Sequence, residues 1–245
     1  MARVLLQAAL NGTRTRIEHP AIPLAPEHQA DEAGAAVSQG AGAIHVHVYD
    51  TDGYESLARH DVARTLRAIR RSCPGVPAGI STGAWIVPDL AKRLSLISTW
   101  DVLPDFVSVN LHEAGAQDVM RLLLHKGIGV EAGIWNAPAA LALVRSGLAD
   151  RCLRILIEPA EGSGNAHANF QQIEEALSDV DRPRLLHGLG ACAWDFVKLA
   201  ATRQYDTRTG FEDTLLLPDR SRAPSNAALI AAAWRIVMDG QQTVR

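Results

Sequence analysis

The feature that most restricts the fold of this sequence is a regular alternation of short apolar runs with longer amphipathic stretches. Eight segments are predicted to be strands: 4–12, 43–50, 76–83, 105–111, 127–135, 153–160, 184–190 and 206–213. A segment with helical apolar spacing follows each of them: 26–40, 58–72, 88–99, 115–127, 137–150, 169–180, 191–204 and 225–240. Eight such pairs in 245 residues predict a (β/α)8 barrel, with residues 1–245 as a single domain.

The main alternative is a doubly wound parallel sheet. Such a sheet ordinarily carries a glycine-rich turn after its first strand, where it binds a dinucleotide phosphate. Here the first strand runs into "NGTRT", which has one glycine and no GxGxxG spacing. The absence of this turn favours the barrel.

Composition excludes several classes of partner. Hydrophobic residues make up 47% and charged residues 21%, the balance of a globular domain with a full core. A net charge of -3, without basic clusters, argues against nucleic acid, and no apolar run reaches the roughly 18 residues of a membrane span. The three cysteines, Cys73, Cys152 and Cys192, are scattered and lack CxxC spacing, which fits a reducing cytoplasm.

Two histidines stand one residue apart in the second strand, in "GAGAIHVHVYDTDG". Residues two apart on a strand share a face, so His45 and His47 point the same way near the carboxyl end, where barrels build their active sites. Two imidazoles on one wall suit zinc, which takes nitrogen ligands and a third from another element. The alternative is a pair of hydrogen-bonded core histidines.

Charged residues crowd the end of the eighth strand, in "TRTGFEDT". Because strand eight is two places from strand two round a closed barrel, the long side chain of Glu212 can reach a metal held by His45 and His47. Arg208 and Asp213 accompany it. The alternative, that these are solvated loop charges, weakens once the histidine pair is considered.

Other strand ends are also more polar than core packing requires. These residues are Asn11, Ser81, Thr82, Ser108, Asn110, Glu131, Glu158 and His187. Hydroxyl groups there can hold a carboxylate or carbonyl oxygen, and we expect Ser81 and Ser108 to bind substrate. Glu131 and His187 are interpreted as hydrogen-bonded polar groups of the barrel interior.

Four segments, in this order, resemble the β-keto acid cleavage enzymes: "LLQAALNGTRT…HPAIPLAPE", "GAGAIHVHVYD", "GISTG" and "RTGFEDT". The resemblance runs from the first strand to the last helix. It implies a zinc-dependent (β/α)8 barrel, a homo-oligomer such as a dimer or tetramer. It also implies an acyltransferase that condenses a β-keto acid with acetyl-CoA, giving acetoacetate and a new acyl-CoA.

The resemblance also implies roles by position. His45, His47 and Glu212 correspond to the Zn²⁺ ligands, Asp213 to a general base and Arg208 to the residue that supports it. Ser81 matches a substrate-binding serine. Ser108 stands where a threonine is usual, a change that keeps the hydroxyl.

Arg14 is a departure from the family pattern. Its position is acidic in members that take an amino-bearing substrate, so a different substrate is expected. A guanidinium that points into the pocket would bind an anionic tail through paired hydrogen bonds. The alternative is that Arg14 lies on the surface and pairs with an acid such as Glu18.

Two rival functions remain open from the residues. A zinc hydrolase of the amidohydrolase kind also combines HxH with an acid on strand eight. It places HxH on strand one and adds histidines after strands five and six, whereas those strands end here in "GIWN" and "EPAE". The second rival is a barrel that binds a metabolite without turnover.

Overall fold

A computed structural model describes residues 4–159 and 165–243, and within them eight parallel strands close into a barrel. Neighbours in the chain pair with each other, and β8 pairs with β1. The strands are β1 Leu6–Ala9, β2 Ala43–Val46, β3 Ala78–Ser81, β4 Phe106–Asn110, β5 Gly129–Ile134, β6 Arg154–Ile157, β7 Arg184–Leu186 and β8 Asp206–Thr209. The barrel fold is confirmed.

An α-helix follows each strand. The helices are α1 Pro26–Ser38, α2 Arg59–Ser72, α3 Leu90–Ser98, α4 Ala116–His125, α5 Ala137–Ser146, α6 Ala166–Ala176, α7 Ala193–Arg203 and α8 Asn226–Thr243. No helix in the described ranges combines the length and the apolar character that crossing a membrane requires. The predicted domain range of 1–245 also takes in residues 1–3, 160–164 and 244–245, outside the described residues, so that range stays a prediction.

Successive side chains along each strand point alternately toward the helices and toward the barrel interior. The outward side chains, such as Ile44 and Val46 on β2 and Val107 and Val109 on β4, belong to the main apolar cluster under the helices. Burying each contributes about 1.5–3 kcal/mol relative to exposure. This pattern fixes which residues face inward, because a shift of one residue would send the apolar set into the barrel.

The inward side chains are largely polar and pair across the barrel. Gln7 on β1 donates to Glu131 on the opposite strand β5 at 2.8 Å. Arg154 lies 3.3 Å from the same carboxylate oxygen. Burial raises the pKa of Glu131, and Arg154 acts against this rise. Glu131 is thus a paired polar group of the interior, as its position in the sequence suggests.

The strands are shorter than the sequence predicts, most clearly at the carboxyl end of β8. The predicted strand runs to residue 213, but β8 ends at Thr209. The amides of Asp213 and Thr214 both donate to the Gly210 carbonyl at 3.0 Å, which closes a turn instead of extending the ladder. Glu212 is therefore presented on a turn above the barrel rather than on the strand.

Gly210 allows β8 and β1 to approach closely beneath this turn. A Cβ atom at position 210 would lie 1.9 Å from the Ala9 carbonyl oxygen. We therefore expect Gly210→Ala to destabilise the protein by about 1–3 kcal/mol, the usual cost of overpacking. Urea denaturation followed by circular dichroism measures this change, and an unchanged midpoint would show that the turn adapts.

Candidate active site

A pocket of about 150 Å³ opens at the carboxyl ends of the strands, the face that barrels use for catalysis. It is lined by Gly12, Thr13, His45, His47, Ser81, Trp85, Ser108, Asn110, Trp135, Leu156, Glu158, Leu189, Arg208 and Glu212. Six of these were expected at the site from the sequence: His45, His47, Ser81, Ser108, Arg208 and Glu212. The pocket therefore brings most of the sequence-predicted residues together.

His45, His47 and Glu212 form a cluster that can hold a metal ion. One ligand atom from each lies within 4.8 Å of the other two. The Nε2 atoms of His45 and His47 lie 3.5 and 3.6 Å from the two carboxylate oxygens of Glu212. Glu212 Oε2 is buried and has no hydrogen-bond partner among the described atoms. A buried carboxylate oxygen in that state fits a metal ligand, since such groups otherwise find a donor.

The charges of the cluster follow from burial and from its neighbours. Burial lowers the pKa of His45 to about 3, so its imidazole is neutral. Burial also acts to lower the pKa of His47, but Glu212 and Glu55 outweigh it and raise the value to about 9. Burial raises the pKa of Glu212, yet Arg208 and the two histidines hold it well below its usual range. Glu212 is thus ionised, as a metal ligand must be.

The backbone of His47 is fixed by buried amide side chains, because this residue lies just past the end of β2. Its N–H donates to Asn11 Oδ1 at 2.9 Å, and its carbonyl accepts from Asn11 Nδ2 at 3.0 Å. Gln29 donates to the same carbonyl at 2.9 Å. Asn11, at the end of β1, therefore takes the place of the missing strand ladder and holds the histidine in register.

Glu212 is packed against the loop that follows β1. Gly12 has φ +59°, in the left-handed region, and a Cβ there would lie 2.5 Å from Glu212 Cγ. Only glycine meets both conditions without strain. Gly12 of the first loop thus leaves the space that the Glu212 side chain occupies.

Arg208 and Asp213 form a buried ion pair beside the cluster. One guanidinium nitrogen of Arg208 donates to Asp213 Oδ1 and to Glu212 Oε1, both at 2.8 Å. Burial opposes the charge of Arg208, but Asp213, Glu212 and Glu158 outweigh it and raise the pKa of the guanidinium. Arg208 therefore stays protonated and orients both carboxylates.

His187 connects Asp213 to a second acid at the pocket wall. Its Nδ1 lies 3.4 Å from Asp213 Oδ1, and its Nε2 lies 3.2 Å from Glu158 Oε2. Burial lowers the pKa of His187 and Arg208 acts with it, but Asp213 and Glu158 outweigh both and raise the value. His187 is thus a buried link between two carboxylates, one residue past the end of β7.

Ser81 and Ser108 lie side by side at the ends of β3 and β4. They are register partners in the parallel ladder, and both line the pocket. Thr82 instead donates to the Ser108 carbonyl at 2.9 Å, so its hydroxyl has a structural partner. Two adjacent hydroxyls at the pocket wall are suited to holding a carboxylate.

Arg14 does not line the described pocket. Its Nη1 pairs with Glu18 at 3.0 Å, and its Nε donates to the Glu212 carbonyl at 3.3 Å. The surface pairing with Glu18 is the alternative that the sequence left open. Arg14 therefore supports the Glu212 turn from outside the pocket.

Residues that the sequence did not single out also build the pocket. Trp85, Trp135 and Leu189 form part of its lining, and Glu55 supports this lining from behind by accepting a hydrogen bond from Trp85 Nε1 at 2.8 Å. Glu55 lies in a loop, eight residues after His47, and a single carboxylate in a loop forms no sequence motif by which its role could be recognised. Only contacts in space show their involvement.

Comparison with known proteins gives one consistent family. A family model described as beta-keto acid cleavage enzyme matches residues 3–245. The chain is 24% identical over 255 residues to a 3-keto-5-aminohexanoate cleavage enzyme from Fusobacterium nucleatum, covering 98% of this chain and 93% of the relative. It is 32% identical over 262 residues to a 3-oxoadipate:acetyl-CoA acetyltransferase from Cupriavidus necator, covering 93% of this chain and 86% of the relative.

Solved structures support the fold. A binary complex of ObcA with oxaloacetate matches with a TM-score of 0.67 at 14% identity, covering 90% of this chain and 64% of that one. An N-acetylmannosamine-6-phosphate 2-epimerase from Clostridium perfringens matches with a TM-score of 0.56 at 15% identity, covering 86% and 87%. At these identities the matches show a shared barrel only.

Proposed function

Because the chain belongs to the β-keto acid cleavage enzyme family, we propose that it transfers the acyl group of a β-keto acid to CoA, with zinc as its metal. The balanced reaction is R–CO–CH2–COO⁻ + CH3–CO–SCoA → CH3–CO–CH2–COO⁻ + R–CO–SCoA. The single observation that carries the proposal is the buried cluster of His45, His47 and Glu212 beside the Arg208–Asp213 pair. The substrates named for the two relatives fit this reaction class.

The metal identity rests on the donor set. Two imidazole nitrogens and one carboxylate oxygen match a catalytic zinc site, in which a fourth position is left for substrate. When bound, zinc supplies a Lewis acid that polarises the substrate's keto group. His45, His47 and Glu212 would hold it, and the buried Glu212 Oε2, which has no hydrogen-bond partner among the described atoms, supports this assignment.

The remaining chemistry falls to side chains of the pocket. Asp213 is proposed to take the proton from the carbon between the keto and carboxylate groups, while the hydrogen bond from Arg208 orients the Asp213 carboxylate. Ser81 and Ser108 are proposed to donate hydrogen bonds to the substrate carboxylate. The resulting carbanion attacks the acetyl carbonyl and expels CoA as its thiolate. The thiolate then attacks the original keto carbon, and the bond between that carbon and the former CH2 carbon breaks to give the new acyl-CoA. Asp213 returns its proton to the acetoacetate carbanion that is released.

The substrate tail is proposed to be chosen by the pocket wall rather than by Arg14. Trp85, Trp135, Leu156 and Leu189 give the wall an apolar character, with Glu158 as its acid. We expect Arg14→Glu to leave the ranking of β-keto acids unchanged, because the Arg14 guanidinium is engaged with Glu18. A shift in kcat/KM from anionic toward cationic tails would restore Arg14 to the predicted substrate-binding role.

The working form is proposed to be a cytoplasmic homo-oligomer, a dimer or tetramer. The family resemblance supports this assembly, and the scattered cysteines fit the compartment. Sedimentation velocity of the purified protein measures the oligomeric state, and a single species at the mass of one 26.3 kDa chain would contradict it.

The proposed reaction is tested by incubating zinc-loaded protein with acetyl-CoA and a panel of β-keto acids that have anionic, neutral and cationic tails. We expect acetoacetate and one new acyl-CoA for at least one member, detected together by mass spectrometry. Asp213→Asn serves as the matched control for background chemistry. Keto acid consumption without a new thioester would indicate hydrolysis, and no consumption by any member would indicate a binding protein.

A further inference from the structure

Glu55 joins a proposed metal ligand to an aromatic side chain at the pocket mouth. One of its carboxylate oxygens lies 2.6 Å from His47 Nδ1, and the other accepts a hydrogen bond from Trp85 Nε1 at 2.8 Å. Its side chain is only 13% exposed although it lies in the loop between β2 and α2. Both oxygens are therefore committed to partners, which is not the arrangement of a solvated loop charge.

We propose that Glu55 is a positioning residue that turns His47 Nε2 toward the metal and holds Trp85 as a wall of the pocket. An imidazole has two nitrogens, and the one that binds a metal is set by the hydrogen bond of the other. With Nδ1 taken up by Glu55, Nε2 is the nitrogen left to bind a metal, and it lies 3.6 Å from Glu212 in the candidate metal cluster. A carboxylate in this place also makes the imidazole a stronger donor to the ion.

Trp85 supplies the second half of the argument. Its ring lies nearly parallel to that of His47, with centroids 6.1 Å apart and planes at 22°. The side chain is 45% exposed, so packing alone does not fix it. The hydrogen bond to Glu55 holds the indole beside His47, and any loss of Glu55 releases the metal ligand and the pocket wall together.

The test measures zinc affinity without substrate, by competition with a chromophoric chelator. Glu55→Ala is expected to weaken zinc binding by about 10- to 100-fold, as loss of such a partner does. Glu55→Gln keeps the size of the side chain but loses its charge, and is expected to weaken binding by less. Glu55→Gln therefore allows the zinc affinity to be tested even if the Glu55→Ala variant does not fold.

A second measurement reports on His47 itself. In the zinc-loaded protein with ¹⁵N-labelled histidine, NMR is expected to show a proton on His47 Nδ1 that is protected from exchange. In Glu55→Ala this proton should exchange faster. Asp118→Ala, a surface acid on α4 paired with Arg121, is the control and should match wild type in both measurements.

The inference rests on the proposed metal site but not on turnover. Wild-type zinc affinity in both Glu55 variants, or an unprotected His47 Nδ1 in the wild-type protein, would overturn it, as would a wild-type protein that binds no zinc. Weakened zinc binding in Glu55→Ala would support it even if no β-keto acid were turned over. In that outcome only the proposed reaction would fail.

Discussion

Replacing His45 with alanine is expected to abolish stoichiometric zinc binding and, with it, essentially all turnover. His45 is a buried, neutral imidazole, and it is the one of the three candidate ligands that lies within a strand, β2. Two remaining ligands form a poor site, because catalytic zinc uses three protein ligands. Elemental analysis of protein dialysed against metal-free buffer measures the zinc content, and the panel assay measures the rate.

The control for this variant is His60→Ala, which removes an exposed histidine from α2 and should leave zinc content and rate unchanged. Circular dichroism separates loss of metal from loss of fold. If His45→Ala retained one zinc per chain, the ligand assignment would be wrong and the two histidines would be ordinary polar groups of the core.

The Asp213→Asn variant is expected to keep its zinc but to have a kcat lower by about 10²- to 10⁴-fold. A loss of this size is usual when a positioned general base is removed. The asparagine oxygen can still accept the hydrogen bond that Arg208 now gives to Asp213 at 2.8 Å. The change therefore removes proton transfer and leaves the local structure. Steady-state kinetics with the best keto acid of the panel, together with zinc analysis, measure both quantities.

Asp206→Asn is the matched control, since Asp206 is a partly buried acid at the start of β8, whereas Asp213 lies in the turn after the end of that strand. It accepts from the Leu5 amide at 2.8 Å and pairs with Arg154, away from the pocket. Its variant should keep the wild-type kcat. A near-normal rate for Asp213→Asn would mean that Asp213 only holds Arg208 in place.

The barrel could be predicted from the sequence because β1 to β7 each turn apolar side chains toward the helices. Ile44 and Val46 flank His45, so the sequence shows both the strand and the inward direction of the histidine. The strand ends could not be predicted as well. Asn11 takes the place of the ladder at His47, 36 residues away in the chain, and β8 ends at a turn where Gly210 lies against the backbone of Ala9. Neither contact between distant parts of the chain has a pattern in the sequence.

The site residues could be predicted where they form a motif of recognisable residue types and spacing. HxH and the acids after β8 converge because the closed barrel places their strands two apart. Arg14 shows the limit of this reasoning, because its position near the mouth does not determine which partner its long side chain takes. Glu55 shows the opposite limit, since the residue that holds His47 comes from a loop with no recognisable pattern.

The most direct test of the proposed reaction follows one carbon atom. With acetyl-CoA labelled with ¹³C at its carbonyl, the balanced exchange predicts that the label appears only in the keto carbon of acetoacetate. The new acyl-CoA should be unlabelled and formed in equal amount. Cleavage of the keto acid to two free carboxylates, with the label still in acetyl-CoA, would contradict acyl transfer and identify water as the acceptor.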